Sequence, residues 1–589
     1  MDLPLQISRL LEHGSTVHGR AEVATWTGDG VRRTSFTELG AQSAQLAHAL
    51  RDDLGVTGDD RVGTFMWNNA EHLAAYCAVP SMGAVLHTLN IRLFPDQLSY
   101  IANHAADKVV IVDGTLIPLL ARSLAEMKTV EHVVVVGAGD PAPLSVAPVA
   151  IHRWDELLRD KPGEYGWPDV DERDAAALCY TSGTTGNPKG VAYSHRSIWL
   201  HSMQVCSPDA FGLRGSDKVL GIVPMFHAMA WGLPYAALMA GTSLLMPDRF
   251  LQAAPLAAMI STERPSKAAA VPTIWTDLLA HLDSHPTDVS SLREVVVGGS
   301  ACPPALMRAF KDRYDVEVVH AWGMTETSPL GSVARPPAGV TGDEYWRYRY
   351  TQGRVPASVA ARIVGPMEDV LPSDGGSVGE LEVRGPWVTG TYLGDDVPDR
   401  DKFRDGWLRT GDVGTLSPDG FITLTDRAKD VIKSGGEWIS SVELENQLMA
   451  HPAVLEACVV GVPDDRWGER PFATVVLREG ATANVAELRA FLAEHFANWQ
   501  VPERWAFIEA VPKTSVGKFD KKVIRAQFAE GEEVTVEELR DHLSQHVAKW
   551  QLPERWAFIA EVPKTSVGKF DKKTLRKQYA EGQLEVLAP

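Results

Sequence analysis

Short runs of β-branched residues alternate with amphipathic stretches and Gly/Pro turns from the start of the chain to about Thr425. Residues 108–113 and 294–299 are typical of inner strands that end at glycine turns. Residues 234–240 predict a helix that stops at a glycine, and residues 242–246 predict the strand that follows it. This alternation predicts a large α/β region.

The chain of 589 residues is too long for a single hydrophobic core. After a predicted strand at residues 421–424 the sequence becomes sharply polar at residues 426–430, and a small α/β unit follows. We therefore predict a large first domain over residues 1–428, a smaller second domain over residues 429–533 and a terminal segment over residues 534–589.

The terminal segment repeats the end of the second domain. The heptapeptide PERWAFI occurs at residues 502–508 and again at 553–559, and the stretch VPKTSVGKFDKK occurs at 511–522 and again at 562–573. Two copies are too few for a solenoid, which needs about three stacked units. The pattern indicates a tandem duplication of one helix–strand–loop–helix segment.

The formal net charge of -19 argues against nucleic acid or an anionic membrane as a partner. The N-terminus lacks a signal-peptide pattern, and apolar runs such as residues 132–137 are too short for a transmembrane segment. The few cysteines, without metal-type spacing, predict buried reduced thiols in a cytoplasmic protein. They are Cys77, Cys179, Cys206, Cys302 and Cys458.

Residues 180–190, YTSGTTGNPKG, place hydroxyl side chains, glycines and Lys189 in one turn. Glycine lets backbone N–H groups approach an anion closely, while the hydroxyls and the lysine add further donors. The segment is not a Walker A loop, because no Gly-Lys-Ser/Thr follows the required spacer and no helix pattern opens directly after it. It predicts a polyphosphate-binding loop, with a plain surface turn as the alternative.

Three further segments of the first domain combine chemically useful side chains. Residues 224–231 interleave aromatics with one histidine, which alone is also typical of a core histidine. Residues 321–327 place an aromatic, a hydroxyl and Glu326 in one turn, suited to a base and a cation or to a helix cap. Residues 407–412 predict a strand that ends at an acidic residue. Its carboxylate could bind the paired hydroxyls of a ribose, or it could belong to an ordinary turn.

The second domain offers three weaker signals. Residues 426–430 and 433–438 carry lysines and glycines that a solvated linker would also carry. In residues 512–519 a glycine precedes Lys518 and lets a loop present it outward, although lysines are most often plain surface residues.

Each segment alone is a weak signal, but their order along the chain is specific for one protein family. The chain resembles the adenylate-forming (ANL) superfamily of acyl-CoA synthetases, luciferases and nonribosomal-peptide adenylation domains. Residues 78–90 and 433–441 resemble in particular its bacterial long- and medium-chain fatty acyl-CoA synthetases. The resemblance implies an α/β fold with a large multi-sheet N-terminal adenylation domain, which includes a small distorted β-barrel subdomain, and a smaller mobile α+β C-terminal domain.

The resemblance implies two half-reactions with ATP and coenzyme A as co-substrates and Mg²⁺ as cofactor. The carboxylate of a medium- or long-chain fatty acid attacks the α-phosphate of ATP to give an acyl-adenylate and pyrophosphate, and the thiol of coenzyme A then displaces AMP to give the acyl-CoA. Such transfer needs in-line positioning and charge neutralisation more than covalent help. Mg²⁺ is assigned to Thr184 and Glu326.

By resemblance, the phosphate contacts are Thr181, Ser182, Gly183, Thr184, Thr185 and Lys189. The adenine and AMP contacts are Gly299, Ser300, Ala321, Trp322, Gly323, Thr325, Asp412 and Arg427. Trp322 replaces a commoner tyrosine, which retains a stacking face and removes a phenolic hydroxyl. The acyl-pocket residues are His227, Ala228, Met229 and Trp231, where plain core packing is the alternative.

The remaining implied roles concern the second domain. Lys429 matches the hinge, and the arm of coenzyme A is assigned to Lys433, Gly435, Gly436 and Trp438. Catalysis is assigned to His227 at the acyl carboxylate and to Lys518, a compact mobile charge that bridges carboxylate and nucleotide. The duplication makes Lys569 a competitor of Lys518. We favour Lys518, because its copy directly follows the predicted strand at residues 472–477.

Other functions share parts of this pattern. An amino-acid adenylation domain would normally carry an acid for the substrate amine, whereas the acyl segment here is apolar. A luciferase-type oxygenase shares every motif and is disfavoured only by the closer subgroup resemblance. A ligase for a small thioether or aryl acid and a non-catalytic acyl-adenylate-binding protein stay open, and a homodimer is expected from the relatives.

Overall fold

The computed structural model describes residues 3–181, 187–365, 367–395, 397–427, 430–434, 437–464, 466–513, 519–528 and 577. The chain separates into two compact units, Met1–Ile524 and Arg525–Pro589, and the architecture below is that of the first. Apart from Lys577, the repeated segment 534–589 lies outside the described residues. The predicted boundary between residues 428 and 429 stays a prediction.

A first sheet, the parallel sheet, runs in the order β7-β6-β5-β3-β4-β8-β9, and within it only β8 and β9 are antiparallel among the described pairs. Its strands are β3 (Arg61–Phe65), β4 (Val85–Thr88), β5 (Asp107–Asp113), β6 (His132–Val136), β7 (Ala150–Arg153), β8 (Ala175–Tyr180) and β9 (Gly190–Ser194). β5 and β6 each contain an unbroken run of four apolar residues, as is typical of inner parallel strands that are buried on both faces.

A second sheet, the large sheet, is parallel from β11 to β14 and antiparallel beyond β14. Its parallel part and first edge consist of β1 (Glu22–Trp26), β2 (Val31–Ser35), β10 (Lys218–Gly221), β11 (Ser243–Met246), β12 (Lys267–Ala270), β13 (Glu294–Val297) and β14 (Glu317–Gly323). Its antiparallel part consists of β15 (Leu330–Val333), β16 (Gly353–Arg354), β17 (Ala360–Val364), β18 (Val370–Leu371), β19 (Gly379–Arg384), β20 (Phe403–Arg404), β21 (Trp407–Leu416) and β22 (Phe421–Arg427).

The small sheet follows in sequence. It consists of β23 (Ile432–Ser434), β24 (Glu437–Ile439), β25 (Val454–Asp464), β26 (Gly468–Leu477) and β27 (Arg504–Phe507). The first copy of the repeat supplies β27, which pairs in parallel with β26. In the first copy, a helix at Val485–Ala493 precedes β27 and a helix at Lys521–Phe528 follows it.

Helices cover the sheets. They are α1 (Ile7–Thr16), α2 (Phe36–His48), α3 (Ala70–Ser81), α4 (Pro95–Ala105), α5 (Ile117–Leu124), α6 (Trp154–Leu158), α7 (His195–Cys206), α8 (Leu233–Ala240), α9 (Ala253–Glu263), α10 (Pro272–Ser284), α11 (Pro304–Tyr314), α12 (Gly342–Arg349), α13 (Ser441–Met449), α14 (Val485–Ala493) and α15 (Lys521–Phe528). α8 ends where the sequence predicts, at Gly241, which is left-handed and caps the helix.

The mixed α/β architecture, with a large sheet-rich N-terminal part and a smaller C-terminal sheet, confirms the predicted fold class. The described helices include none that is both long and apolar enough to cross a membrane. Within the described residues the cysteines are free thiols, and Cys206 alone among them is half-buried instead of buried.

Candidate active site

The phosphate-loop segment begins where β8 ends. The backbone N–H of Thr181 donates to the carbonyl of Lys189 at 2.9 Å, and the N–H of Lys189 donates to Thr181 Oγ1 at 3.1 Å. These two hydrogen bonds join the two ends of the loop at the end of β8. The predicted phosphate contacts Ser182, Gly183, Thr184 and Thr185 lie outside the described residues.

The lysine of the loop faces a buried tyrosine and a half-exposed carboxylate. Lys189 Nζ lies 4.7 Å from the ring centre of Tyr392 and 3.6 Å from Asp399 Oδ2. The Tyr392 hydroxyl donates to Glu326 Oε1 at 2.7 Å, and burial and then the Glu326 charge raise the pKa of the tyrosine. The phenol is therefore protonated and orients the carboxylate.

The short turn that carries Glu326 is held by backbone contacts. Tyr193 donates from its hydroxyl to the Thr325 carbonyl at 2.6 Å, and the Thr389 N–H donates to the Glu326 carbonyl at 2.8 Å. Thr325 and Glu326 are buried. The cap-like turn at Thr325–Thr327 is thus held from both sides, which fixes the backbone that carries the Glu326 carboxylate.

The nucleotide-side residues converge on Asp412. Trp322 donates from Nε1 to Asp412 Oδ2 at 2.8 Å, and Arg427 Nε lies 2.6 Å from Asp412 Oδ1. Asp412 and Arg427 are directly paired residues of β21 and β22. Both carboxylate oxygens therefore have a donor, and Arg427, whose side chain is 40% exposed, faces solvent.

Two details of this region differ from the sequence predictions. Ala321, Trp322 and Gly323 belong to β14 instead of a turn. β21 does not end at Asp412 but continues to Leu416. The reason is a register shift in its pairing with β19, because Gly411, with φ of 75°, bulges the strand instead of terminating it.

The glycine loop after β13 lies beside this group. Gly299 adopts a φ of 84°, a conformation that favours glycine, and Ser300 is exposed. His320 of β14 approaches the Ser300 carbonyl with Nε2 at 3.3 Å. The predicted adenine contacts of the two segments are therefore brought together at the ends of neighbouring parallel strands.

The predicted acyl segment has an unusual backbone. Ala228, Met229, Ala230 and Trp231 all have φ between 43° and 57°, and all four are buried. A Cβ built on Gly298 would lie 3.3 Å from Cη2 of Trp231. The indole of Trp231 thus packs against the glycine loop, which brings the acyl segment to the nucleotide region. At the entrance to this turn, the His227 backbone N–H donates to the Pro224 carbonyl at 3.1 Å.

Sequence reasoning missed Tyr392 and Lys402. Burial lowers the pKa of Lys402, and the carboxylates of Glu326, Asp412 and Glu380 act against that shift. Lys402 therefore adds a second ammonium group to the field around the candidate site. Neither residue has a local signal, because their relevance comes from contacts between segments far apart in sequence.

Two of the remaining candidates, Lys433 and Trp438, lie in the small sheet. Lys433 is exposed on β23, and its N–H donates to Glu469 Oε2 at 2.8 Å. Trp438 pairs through its backbone with Lys433 in β24. The predicted hinge, tunnel glycines and both catalytic-lysine candidates lie outside the described residues: Lys429, Gly435, Gly436, Lys518 and Lys569.

The described residues contain no cluster of three or more His, Cys, Asp or Glu side chains that could hold a metal by themselves. Mg²⁺ is usually held by one or two carboxylates together with substrate phosphates. The carboxylate oxygen of Glu326 beside the phosphate-loop base fits such a shared site.

Comparison with known proteins agrees with this geometry. The AMP-binding enzyme family matches residues 11–393, and the AMP-binding enzyme C-terminal domain matches residues 443–518. The chain is 44% identical to the 3-methylmercaptopropionyl-CoA ligase of Ruegeria pomeroyi, over 89% of this chain and 97% of that protein. It is 43% identical to the medium-chain-fatty-acid–CoA ligase of Ectopseudomonas oleovorans, over 89% and 96%.

A similar solved structure is that of the anthranilate CoA ligase AuaEII in complex with anthranoyl-AMP. It superposes with a TM-score of 0.81 at 27% identity, covering 89% of this chain and 98% of that one. The chain belongs to the AMP-binding enzyme family and is an AMP-forming acid–CoA ligase. ATP and coenzyme A fit it as co-substrates.

Proposed function

We propose that this enzyme activates a fatty acid of medium or long chain. The acid oxygen attacks the α-phosphorus of ATP, forming the acyl-adenylate as the bond to pyrophosphate breaks. The thiolate of coenzyme A then attacks the acyl carbon, forming the thioester as the bond to AMP breaks. The observation that carries the proposal is the convergence of Trp322, Asp412 and Arg427 beside the wall formed by Glu326, Tyr392 and Lys189.

The nucleotide roles follow from charge and exposure. We assign Asp412 to the ribose and the exposed guanidinium of Arg427 to the ribose–phosphate region, since its fork suits oxygen-rich groups. Gly299, Ser300 and Ala321 to Gly323 line the adenine slot, and Lys189 with the residues 181–185 contacts the phosphates. In a protein of net charge -19, Lys189, Arg427 and Lys402 supply the local positive field.

We assign Mg²⁺ to Glu326 and Thr184. When bound there, the ion would neutralise charge on the phosphates during transfer. Tyr392 holds the Glu326 carboxylate in place through its 2.7 Å hydrogen bond.

Lys518 is our choice for the mobile catalytic lysine. Lys513 before it and Phe519 after it pair as an isolated antiparallel bridge, and Lys513 Nζ lies 2.7 Å from Glu456 Oε1 of β25. This contact between the first copy and the small sheet supports the choice of Lys518. Lys429 is the proposed hinge, and residues 433–438 the proposed path of the coenzyme A arm.

Acid-dependent pyrophosphate exchange tests the choice. Lys518→Ala is expected to abolish exchange, and Lys569→Ala, its matched control in the second copy, is expected to retain it. An active Lys518→Ala with an inactive Lys569→Ala would reverse the assignment, and two active single variants would make the copies redundant.

The apolar, buried segment from Ala228 to Trp231 supports an aliphatic acyl group. This segment has no carboxylate that could pair with the amine of an amino-acid substrate. We place His227 at the substrate carboxylate. A small thioether acid is the second candidate, because the ligase named for 3-methylmercaptopropionate matches this chain as well as the medium-chain enzyme does.

Rates with saturated acids from propionate to palmitate and with 3-methylmercaptopropionate decide between the two candidates. A maximum of kcat/KM at a medium- or long-chain acid supports the first, and a maximum at the thioether acid selects the second. Binding of an acyl-adenylate without turnover of any acid would make the protein a non-catalytic binder. A homodimer and a cytoplasmic location stay predictions, which light scattering and cell fractionation test.

A further inference from the structure

A chain of buried polar contacts leads from the first repeat copy to the nucleotide strands. Lys521, at the start of α15, lies with Nζ 2.8 Å from Glu445 Oε1 and donates to Ser441 Oγ. The Ser441 hydroxyl donates to Asp426 Oδ2, and its backbone N–H donates to the same oxygen at 2.8 Å. Asp426 directly precedes Arg427 on β22.

The far end of this chain is the candidate nucleotide site. Successive residues of a strand point to opposite faces, so Asp426 faces α13 while Arg427 reaches across to Asp412. Asp412 in turn accepts the hydrogen bond of Trp322. The Asp426 carboxylate is also tied to the backbone that carries Arg427, because its Oδ1 accepts the Arg427 N–H at 2.7 Å.

The network is buried and closely paired. Ser441 and Glu445 of α13 are buried, as is Asp426, and Glu445 also accepts the Val459 N–H at 2.8 Å. Burial acts to lower the pKa of Lys521, but Glu445 and Asp426 outweigh it and hold the pKa raised, so the ammonium is charged. A buried charge is tolerated only with such complete pairing, which fixes the positions of all its partners.

We propose that Lys521 is a positioning residue for adenylate formation, which through Ser441 and Asp426 holds the end of β22 so that Arg427 faces Asp412. The inference rests on the proposed function and deepens it. The geometry of the nucleotide site then depends on which repeat copy supplies the lysine that contacts Glu445 and Ser441. The second copy carries the equivalent lysine, Lys572. Lys572 is therefore the matched control position within the same chain.

The test compares four variants with the full-length enzyme: Lys521→Met, Lys521→Arg, Lys572→Met and the double variant Lys521→Met/Glu445→Gln. The glutamine keeps an acceptor for Val459 and removes the charge that Lys521→Met leaves unpaired. Each protein is assayed for acid-dependent pyrophosphate exchange with the best acid of the panel, and for thioester formation from a preformed acyl-adenylate.

The proposal expects Lys521→Met and the double variant to lose exchange by about 100-fold, since small displacements at a reacting centre cost that much. Thioester formation from the preformed adenylate stays within about twofold, Lys521→Arg regains most of the exchange, and Lys572→Met matches the wild type within about twofold.

Several results would overturn the proposal. They are normal exchange in Lys521→Met, equal loss of both half-reactions, recovery of exchange in the double variant, and equal sensitivity of Lys572→Met. Failure of the wild type to form acyl-CoA from any acid would instead refute the proposed function, so the two failures are distinguishable.

Discussion

The indole of Trp322 replaces a tyrosine that is commoner in the resembling enzymes, and the structure shows what the replacement does. The phenolic hydroxyl is lost, but the indole N–H donates to Asp412 at 2.8 Å. Gly331 leaves room for the indole, since a Cβ there would lie 2.2 Å from Cζ3 of Trp322. The residue therefore orients the carboxylate proposed to bind ribose.

Trp322→Phe keeps an aromatic face and removes this donor. Because a hydrogen bond to a charged acceptor contributes about 1.5–3 kcal/mol, the KM for ATP in pyrophosphate exchange is expected to rise about 10- to 100-fold. Trp387→Phe is the control, because it removes a buried indole donor to the Leu330 carbonyl instead. An unchanged KM in Trp322→Phe, or an equal rise in the control, contradicts the role.

The left-handed segment from Ala228 to Trp231 is the element least expected from its sequence. L-residues pay roughly 1–2 kcal/mol each for this conformation, and nothing in Ala-Met-Ala-Trp signals it. Packing overrides local preference here, because each of these side chains is buried. Such strain is found where a segment must hold a fixed shape at a functional site.

The strain predicts a difference between two glycine substitutions. Ala230→Gly and Ala236→Gly both remove a buried methyl group, but Ala230 is left-handed whereas Ala236 lies within helix α8. Ala230→Gly is expected to be less destabilising by about 1–2 kcal/mol, measured by urea unfolding. Equal losses of unfolding free energy would show that the turn is unstrained.

Elements with unbroken apolar runs could be predicted from the sequence, as β5, β6 and α8 show. The prediction that a strand ends at Asp412 was wrong. In the local sequence Gly411 indicates a turn, but in the sheet, where β19 and β22 pair with β21, it forms a bulge within the strand. The order of the motifs along the chain was enough to predict the family. Tyr392 and Lys402 could not be found, since their side chains matter only through contacts across the fold.

At the scale of the whole molecule, buried histidines make the free energy of unfolding depend on pH. Burial lowers the pKa of His201 to about 3, and of three further histidines to about 4: His72, His195 and His320. The unfolded chain, with an ordinary histidine pKa of 6.5, binds protons that the folded chain excludes. Stability is therefore full above the unfolded pKa and falls as the pH drops below it.

His201→Gln isolates one of these groups. Between about pH 7 and about pH 5 the wild type is expected to lose about 2 kcal/mol more unfolding free energy than the variant. Urea unfolding at both pH values measures the difference. Identical losses in the two proteins would mean that His201 does not titrate on unfolding.

The central claim is that one enzyme couples adenylate formation to thioester formation. The most direct measurement incubates the wild-type protein with ATP, Mg²⁺, coenzyme A and each acid of the panel, and quantifies every product. The account predicts equal amounts of AMP, pyrophosphate and acyl-CoA, with no AMP formed when the acid is left out. Formation of ADP and phosphate, or of AMP without acyl-CoA, would contradict it.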